Sequence, residues 1–146
     1  MEGLNGGRIG IAAQALGIAQ GAFEKSVAYA KERKSFGKPL IEHQLIGAKL
    51  AQMSMKIDAA RLLIYKAAVL KDQKKKHIIE ASEAKLFATT IANEITREAV
   101  QIHGGYGYTR DYEVERMMRD AKVTEIYEGT SEIQHIVIAR EINKNM

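Results

Sequence analysis

Residues 7–33 read GRIGIAAQALGIAQGAFEKSVAYAKER, and their pattern predicts the first of several long helices. Its apolar residues recur every three or four positions, which is the period of an α-helix with one buried face. At about 1.5 Å of rise per residue, such a helix is roughly 40 Å long. Many of its residues are Ala or Gly, so that a neighbouring helix can approach closely. The predicted inward face consists of Ile9, Ala12, Leu16, Ala19, Phe23, Val27 and Ala30.

A second helix is predicted beyond the break at Gly37 and Pro39, which places residues 34–40 in a loop. The helical period resumes at Ile41 and ends before three consecutive lysines at positions 74–76. We interpret these lysines as a solvated connection between two helices. Their positive charges also suit the C-terminus of the helix that they follow. The predicted inward face of this helix carries Ile41, Leu45, Ala48, Gln52, Met55, Ala59, Leu62 and Val69.

Further helices are predicted over residues 78–102, 112–120 and 131–143. The first of these stops at Gly104-Gly105, and the second is short. No segment alternates with the period of two that marks a strand, so strands are not expected. The pattern therefore predicts an all-α, antiparallel up-down-up-down four-helix bundle with a short extra helix before the last one.

Composition excludes several classes of function. The chain has 146 residues, which suits one domain. It has no cysteine, and its four histidines lack metal-ligand spacing, so no metal site is expected. The net charge of +4 is spread along the chain, which argues against nucleic-acid binding. No uncharged apolar run of about 18 residues occurs, so no membrane span is predicted.

The segment 124–132, TEIYEGTSE, precedes the last helix. Thr130 or Ser131 can cap that helix, and Ser131 with Gln134 has the spacing of a capping box. Glu128 would then lie just before a helix N-terminus, on a turn that the following glycine permits. The helix dipole favours its anion and apolar neighbours disfavour it, so this carboxylate can act as a general base. A solvated loop glutamate is the alternative that these residues leave open.

Three motifs occur in the order of one known family. They are RKSFG at 33–37, QIHGGYGY at 101–108, and a third that joins MMRDAK at 117–122 with IYEGTSEIQ at 126–134. Together they closely resemble the C-terminal helical domain of the acyl-CoA dehydrogenase family, most nearly its short-chain, butyryl-CoA type. Complete members also have an N-terminal helical domain and a middle β-domain. The resemblance therefore implies that residues 1–146 are one C-terminal domain of a longer enzyme.

The resemblance implies an α,β-dehydrogenation of a short-chain acyl-CoA to a trans-2-enoyl-CoA. This reaction needs a base for the α-proton and an acceptor for the β-hydride, and side chains offer no hydride acceptor. The implied base is Glu128 and the implied cofactor is FAD. A minority of the family places the base at the position of Gly7, which cannot serve. The chain alone is not expected to be catalytically competent, and a non-catalytic helical oligomerisation module is the alternative.

The resemblance also implies partners and contact residues. An electron-transfer flavoprotein would accept the electrons, and the enzyme would be a homotetramer, a dimer of dimers, in a bacterial cytoplasm or a mitochondrial matrix. The loop at 34–40 would cross a subunit interface to reach a partner's FAD. Implied FAD contacts are Arg33, Ser35, Phe36, His43, Gln44, Gln101, Gly104, Gly105, Thr130 and Glu132. Implied substrate contacts are Leu4, Arg8, Tyr127 and Gly129.

Other roles remain open for several of these residues. Arg33 can be an ordinary cation at a helix C-terminus. Gly104 and Gly105 can be a simple helix stop. Some family members have glutamine at the position of Glu132, and the acid departs from that pattern. Leu4, Arg8 and Tyr127 can be ordinary capping or core residues.

Overall fold

The computed structural model describes residues 2–145, with side chains described for residues 4–144. Five α-helices make up most of this part of the chain, which confirms the all-α prediction. None of the helices described has an apolar stretch long enough to cross a membrane. The helices are α1 (Glu2–Glu32), α2 (Gln44–Asp72), α3 (Ile78–His103), α4 (Val114–Thr124) and α5 (Ser131–Asn145).

Helices α1 and α3 run parallel to each other, because contacts join their starts and their ends. Near the starts, Arg8 Nη1 donates to Ser82 Oγ at 3.4 Å. Near the ends, Tyr29 Oη donates to the carbonyl of His103 at 3.3 Å. Helix α2, which connects them in the sequence, runs in the opposite direction, since Lys49 pairs with Glu98 of α3 and Lys56 with Glu94.

Helix α4 and the turn at residues 125–130 together occupy the fourth position of the bundle. Lys25 of α1 forms an ion pair with Glu113, at the start of α4. One turn further along α4, Met117 lies beside Gly21. Helix α4 therefore descends antiparallel to α1, and the chain after it arrives at the beginning of α1, where α5 starts.

The predicted inward face of α1 is confirmed by a core built largely from alanine. Ala12, Ala19 and Ala30 have no exposed surface, and Phe23 packs against the core from its edge. Small residues on α1 face small residues on α3, so that these two backbones lie close together. This close packing fixes the position of the two helix starts that carry the candidate site.

The predicted inward face of α2 is wrong, because the core takes a different apolar stripe. Leu45, Leu62 and Val69 are 80%, 69% and 52% exposed. The buried stripe is offset by two positions, which is about 200° around the helix. Helix α2 thus has two apolar faces, and periodicity cannot choose between them. The buried residues are Leu50, Met53, Ile57, Ala60, Ile64 and Ala67.

The predicted loop at 34–40 contains a small hairpin, contrary to the expectation of no strand. Strands β1 (Lys34–Ser35) and β2 (Lys38–Pro39) pair antiparallel. Phe36 and Gly37 form the turn with φ of 50° and 80°, the left-handed geometry of two-residue hairpin turns. Strands of two residues are too short to produce an alternating pattern, so the sequence did not reveal them.

Candidate active site

The turn between α4 and α5 has an unusual backbone. Glu128 has φ of 56° and Gly129 has φ of 91°. The second value suits glycine, whereas a left-handed glutamate is uncommon. Non-glycine residues with left-handed backbone conformations concentrate at functional sites, where the surrounding structure holds them in place. The turn therefore marks Glu128 as a candidate functional residue independently of any motif.

Thr130 is the N-cap of α5, as one of the two predicted alternatives requires. Its carbonyl accepts the first helical hydrogen bond, from the N–H of Gln134 at 3.0 Å. Its hydroxyl accepts a long hydrogen bond from the N–H of Ile133 at 3.5 Å. The carboxylate of Glu132 also accepts hydrogen bonds at this cap, from its own backbone N–H and from the Thr130 hydroxyl. These hydrogen bonds lower the pKa of Glu132.

The predicted capping box of Ser131 and Gln134 is wrong. The Gln134 side chain is fully buried and points backwards, with Nε2 2.9 Å from the carbonyl oxygen of Gly129. Ser131 lies within the first turn of α5 instead of capping it. Gln134 thus supports the turn before the helix, because its amide finds a better acceptor in a carbonyl that no helical N–H reaches.

The Glu128 carboxylate rests against the beginning of α1. A Cβ atom at position 7 would lie 2.5 Å from its Oε2 and 2.8 Å from its Cδ. Glu128 is exposed in this chain, but its carboxylate is directed onto α1 and not away from the bundle. A side chain at position 7 and the carboxylate of Glu128 would compete for the same space, so only one of the two positions can supply a carboxylate here.

Arg8 brings a buried positive charge next to this carboxylate. It is 8% exposed, and its Nη1 donates to Asn5 Oδ1 at 3.0 Å. Burial lowers the pKa of Arg8, the negative charge of Glu128 opposes that shift, and Arg140 adds to it. The Nε of Arg8 is buried without a hydrogen-bond partner among the described residues. Arg8 is therefore more than a capping charge, since it ties α1 to α3 beside the candidate base.

The other predicted substrate residues lie around the same end of α1. Leu4 is 48% exposed and lines a cleft of about 120 Å³ with Arg8 and residues of α5. The hydroxyl group of Tyr127 donates a hydrogen bond to Gln14 Oε1. We call this region, comprising Leu4, Arg8, Tyr127, Glu128, Gly129, Thr130 and Glu132, the base end.

Lys85 contacts the base end and was not predicted from the sequence. It lies in α3, has no exposed surface, and donates to the carbonyl of Gly129. Burial lowers the pKa of Lys85, the charge of Arg8 lowers it further, and Glu125 and Glu128 act in the opposite direction. The available signal was a lysine on the inward face of α3 between the buried Ala81 and Ala88, since a charged residue in such a stripe is rare without a partner.

The remaining predicted cofactor residues gather at the opposite end of α1. Arg33 lies over the ring of Tyr106, with 5.5 Å from Cζ to the ring centroid. His43 Nε2 is 3.0 Å from the Ser35 carbonyl oxygen, and Phe36 is 97% exposed. Gln44, Gln101, Gly104 and Gly105 are also exposed, close to the ends of α1 and α3. We call this group, with Arg33, Ser35, Phe36 and His43, the hairpin end.

A stacked aromatic pair anchors the hairpin end. The rings of Tyr29 and His103 are 4.2 Å apart, and Tyr112 contacts both edge-on. Burial lowers the pKa of His103, and its Nδ1 donates to the carbonyl of Ala99 at 2.8 Å. This packing fixes the last turn of α3, and with it the two glycines that follow.

The two ends are far apart within one chain. Gly7 and Arg33 are separated by the length of α1, which is about 40 Å at the rise of an α-helix. The structure therefore brings the predicted residues together as two groups, one at each end of α1.

Comparisons with known proteins agree with this architecture. The family model for the acyl-CoA dehydrogenase C-terminal domain matches residues 1–143. The chain is 57% identical over 142 residues to a short-chain-specific acyl-CoA dehydrogenase of Clostridium acetobutylicum, covering 97% of this chain and 38% of that protein. It is 53% identical over 139 residues to subunit CarC of the caffeyl-CoA reductase–Etf complex of Acetobacterium woodii, covering 95% and 37%.

Solved structures give the same result. Butyryl-CoA dehydrogenase from Megasphaera elsdenii superposes with a TM-score of 0.95 at 54% identity, over 96% of this chain and 37% of that one. A glutaryl-CoA dehydrogenase of Mycobacterium smegmatis in complex with FADH2 gives 0.92 at 33% identity, over 97% and 36%. The chain thus spans well under half the length of the relatives it matches. It belongs to the acyl-CoA dehydrogenase family and corresponds to that family's C-terminal domain.

Proposed function

We propose that this chain is the C-terminal domain of a flavin-dependent acyl-CoA dehydrogenase for short acyl chains, with Glu128 as the α-proton base. The observation that carries the proposal is the left-handed Glu128, whose carboxylate rests on Gly7 beside the buried Arg8. A base must be held in place to be effective, and this turn holds one at the mouth of a helix.

The proposed reaction forms a carbon–carbon double bond. The Glu128 carboxylate accepts the α-proton, and the electron pair of that C–H bond becomes the π bond as the β-hydrogen departs with its own pair. FAD, when bound, supplies the acceptor for that hydride. Hydrogen bonds to the thioester oxygen would stabilise the charge that develops on it, and the resemblance assigns one of them to the backbone N–H of Glu128.

The same residue serves both directions of the reaction. One relative is named a dehydrogenase and another belongs to a caffeyl-CoA reductase complex. The acid form of Glu128 returns the α-proton in reduction, because proton transfer is microscopically reversible. The name of the second relative also supports an electron-transfer flavoprotein as the redox partner.

The chemistry of the two ends fits FAD. The hairpin end presents the guanidinium of Arg33, the flat ring of Phe36 and the exposed glycines after α3, which suit a pyrophosphate and an aromatic base. The base end presents the hydroxyl of Thr130, whereas the carboxylate of Glu132 departs from the glutamine of some family members and does not contribute to this fit. Because the resemblance places the loop at 34–40 across a subunit interface, we propose that each FAD is shared by two copies, within a tetramer.

Replacement of the base tests the function. In the complete enzyme, we expect Glu128→Gln to retain FAD but to lose flavin bleaching by butyryl-CoA, since an amide cannot accept the α-proton. The control is Glu115→Gln, which removes a partly buried carboxylate of α4 that pairs with Arg119. Bleaching at a near-normal rate in Glu128→Gln would refute the role of Glu128.

Assembly is a second candidate function, and one observation favours it. Helix α2 exposes Leu45, Met55, Leu62, Tyr65 and Val69, which we call the outer face of α2. Apolar patches of this kind mark interaction sites. The purified chain distinguishes the two functions: near-stoichiometric yellow flavin supports retained cofactor binding, and a colourless oligomer supports assembly alone.

A further inference from the structure

The turn that carries Glu128 needs external support. Both Glu128 and Gly129 are left-handed, and the first of these conformations is unfavourable for a residue with a Cβ atom. The turn ends with the Ser131 N–H donating to the carbonyl of Glu125 at 3.1 Å. This bond closes the loop but does not set the orientation of the peptide between Gly129 and Thr130.

That peptide is held by two buried side chains. The carbonyl of Gly129 accepts from the ammonium of Lys85 in α3 and from Gln134 Nε2 in α5, the latter at 2.9 Å. Gln134 Nε2 is also 3.4 Å from the carbonyl oxygen of Glu128. Both side chains have no exposed surface. We call this arrangement the carbonyl clamp.

The burial of the Lys85 ammonium is costly for folding. A lysine without exposed surface loses its hydration, and an apolar side chain of equal length would fill the same space without that loss. The hydrogen bond that Lys85 donates goes to the carbonyl of Gly129, the residue that follows Glu128.

We propose that Lys85 and Gln134 are positioning residues, whose clamp on the Gly129 carbonyl keeps the Glu128 carboxylate over Gly7 in the orientation that receives the α-proton. This inference rests on the proposed function of Glu128. It adds residues on α3 and α5 that do not contact the substrate themselves but determine where the base lies.

Lys85→Met tests the clamp in the complete enzyme with FAD and butyryl-CoA. Methionine keeps most of the length of the lysine side chain and removes the donor. We expect kcat to fall about ten- to a hundredfold, because small displacements of a base are costly, with KM within about twofold and FAD content unchanged. Lys66→Met is the control: it removes an exposed ammonium of α2 that is 3.9 Å from Glu80. A kcat within twofold of the unsubstituted enzyme would overturn the proposal.

Two readouts separate positioning from a structural role. Exchange of the α-hydrogens with D2O, in an acyl-CoA without β-hydrogens, measures proton transfer alone and should slow by the same factor as kcat. In a Glu128→Gln background, Lys85→Met should leave the residual rate unchanged, although any loss of melting temperature persists. A further fall of the residual rate in that background would indicate a general structural effect and contradict the proposal.

A second variant decides the outcome if Lys85→Met does not retain FAD. Gln134→Leu removes the other donor to the same carbonyl without leaving a buried charge unpaired, and it must also lower kcat while KM is preserved. Unchanged kcat in this variant overturns the clamp. Failure of the proposed function is recognised separately, since Glu128→Gln would then remain active whatever the clamp variants do.

Discussion

At the scale of single residues, the decisive relation is between Glu128 and Gly7. They are distant in sequence, yet the space that a Cβ at position 7 would need is filled by the Glu128 carboxylate. Glycine at position 7 is thus the complement of a glutamate at position 128. A helix interior normally disfavours glycine by about 1 kcal/mol relative to alanine, so its presence has a local cost that this contact explains.

Gly7→Ala should therefore separate stability from activity. We expect the melting temperature to stay equal or rise, because alanine favours the helix. The Glu128 carboxylate must move away from a Cβ that would be 2.5 Å from its Oε2. We therefore expect kcat of the complete enzyme to fall about ten- to a hundredfold.

Gly17→Ala is the matched control for Gly7→Ala. A Cβ at Gly17, also in α1, would meet nothing within 4 Å among the described residues. It should stabilise the helix to the same degree and leave kcat unchanged. Equal kcat values for both variants would show that Glu128 does not need the space above Gly7.

At the scale of elements, α5 depends on one buried carboxylate near its end. Glu141 is 2% exposed and accepts from Lys144 at 2.8 Å and from Lys76 at 2.9 Å. Lys76 belongs to the connection between α2 and α3, so this contact ties the end of α5 to the bundle. The hydrogen bonds from Lys144 and Lys76 lower the pKa of Glu141 to about 2 from an ordinary 4.5.

The contribution of Glu141 to stability should depend on acid. Since its folded pKa is depressed, the contribution is full above about pH 4.5 and is lost as the pH falls towards 2. Glu141→Gln should lower the melting temperature at pH 7 and converge with the unsubstituted chain near pH 2. Glu24→Gln, at an exposed position of α1, is the control. A constant difference at all pH values would show that the ion pairs contribute nothing.

Helices α1 and α2 show how far sequence patterns predict these elements. The α1 face was predicted correctly, because the buried alanines and the larger apolar residues packed beside them lie on one side of the helix. Helix α2 has two apolar stripes, and the predicted one, with Leu62, is exposed while Ile64 is buried. Which stripe faces the core depends on the neighbouring helices, and that information is absent from periodicity.

The candidate site was predicted to a similar extent. Glu128 and the group around Arg33 were predicted by motif, because their chemistry is local in sequence. The clamp was not, since Lys85 and Gln134 meet Gly129 only after α3 and α5 have packed. Gln134 was assigned to a capping box from spacing alone, and tertiary contact gave its amide another partner.

At the scale of the whole molecule, the outer face of α2 should make the chain self-associate. Leu62→Lys places a charge in its centre, and we expect sedimentation of the purified chain to shift towards monomer. Ala139→Lys adds the same charge at an exposed position of α5 and should leave the distribution unchanged. A chain that is monomeric before substitution, at high concentration, would contradict the assembly role of this face.

The length of α1 has a genetic consequence. Suppose that each flavin site takes Glu128 from one subunit and the hairpin end from another. A substitution at one end of α1 then inactivates only one of the two sites to which that polypeptide contributes. Two alleles, one lacking Glu128 and one lacking Arg33, would each encode inactive protein. Co-expressed, they would form hybrids in which some sites combine two sound halves, so that the defects complement each other within a single gene.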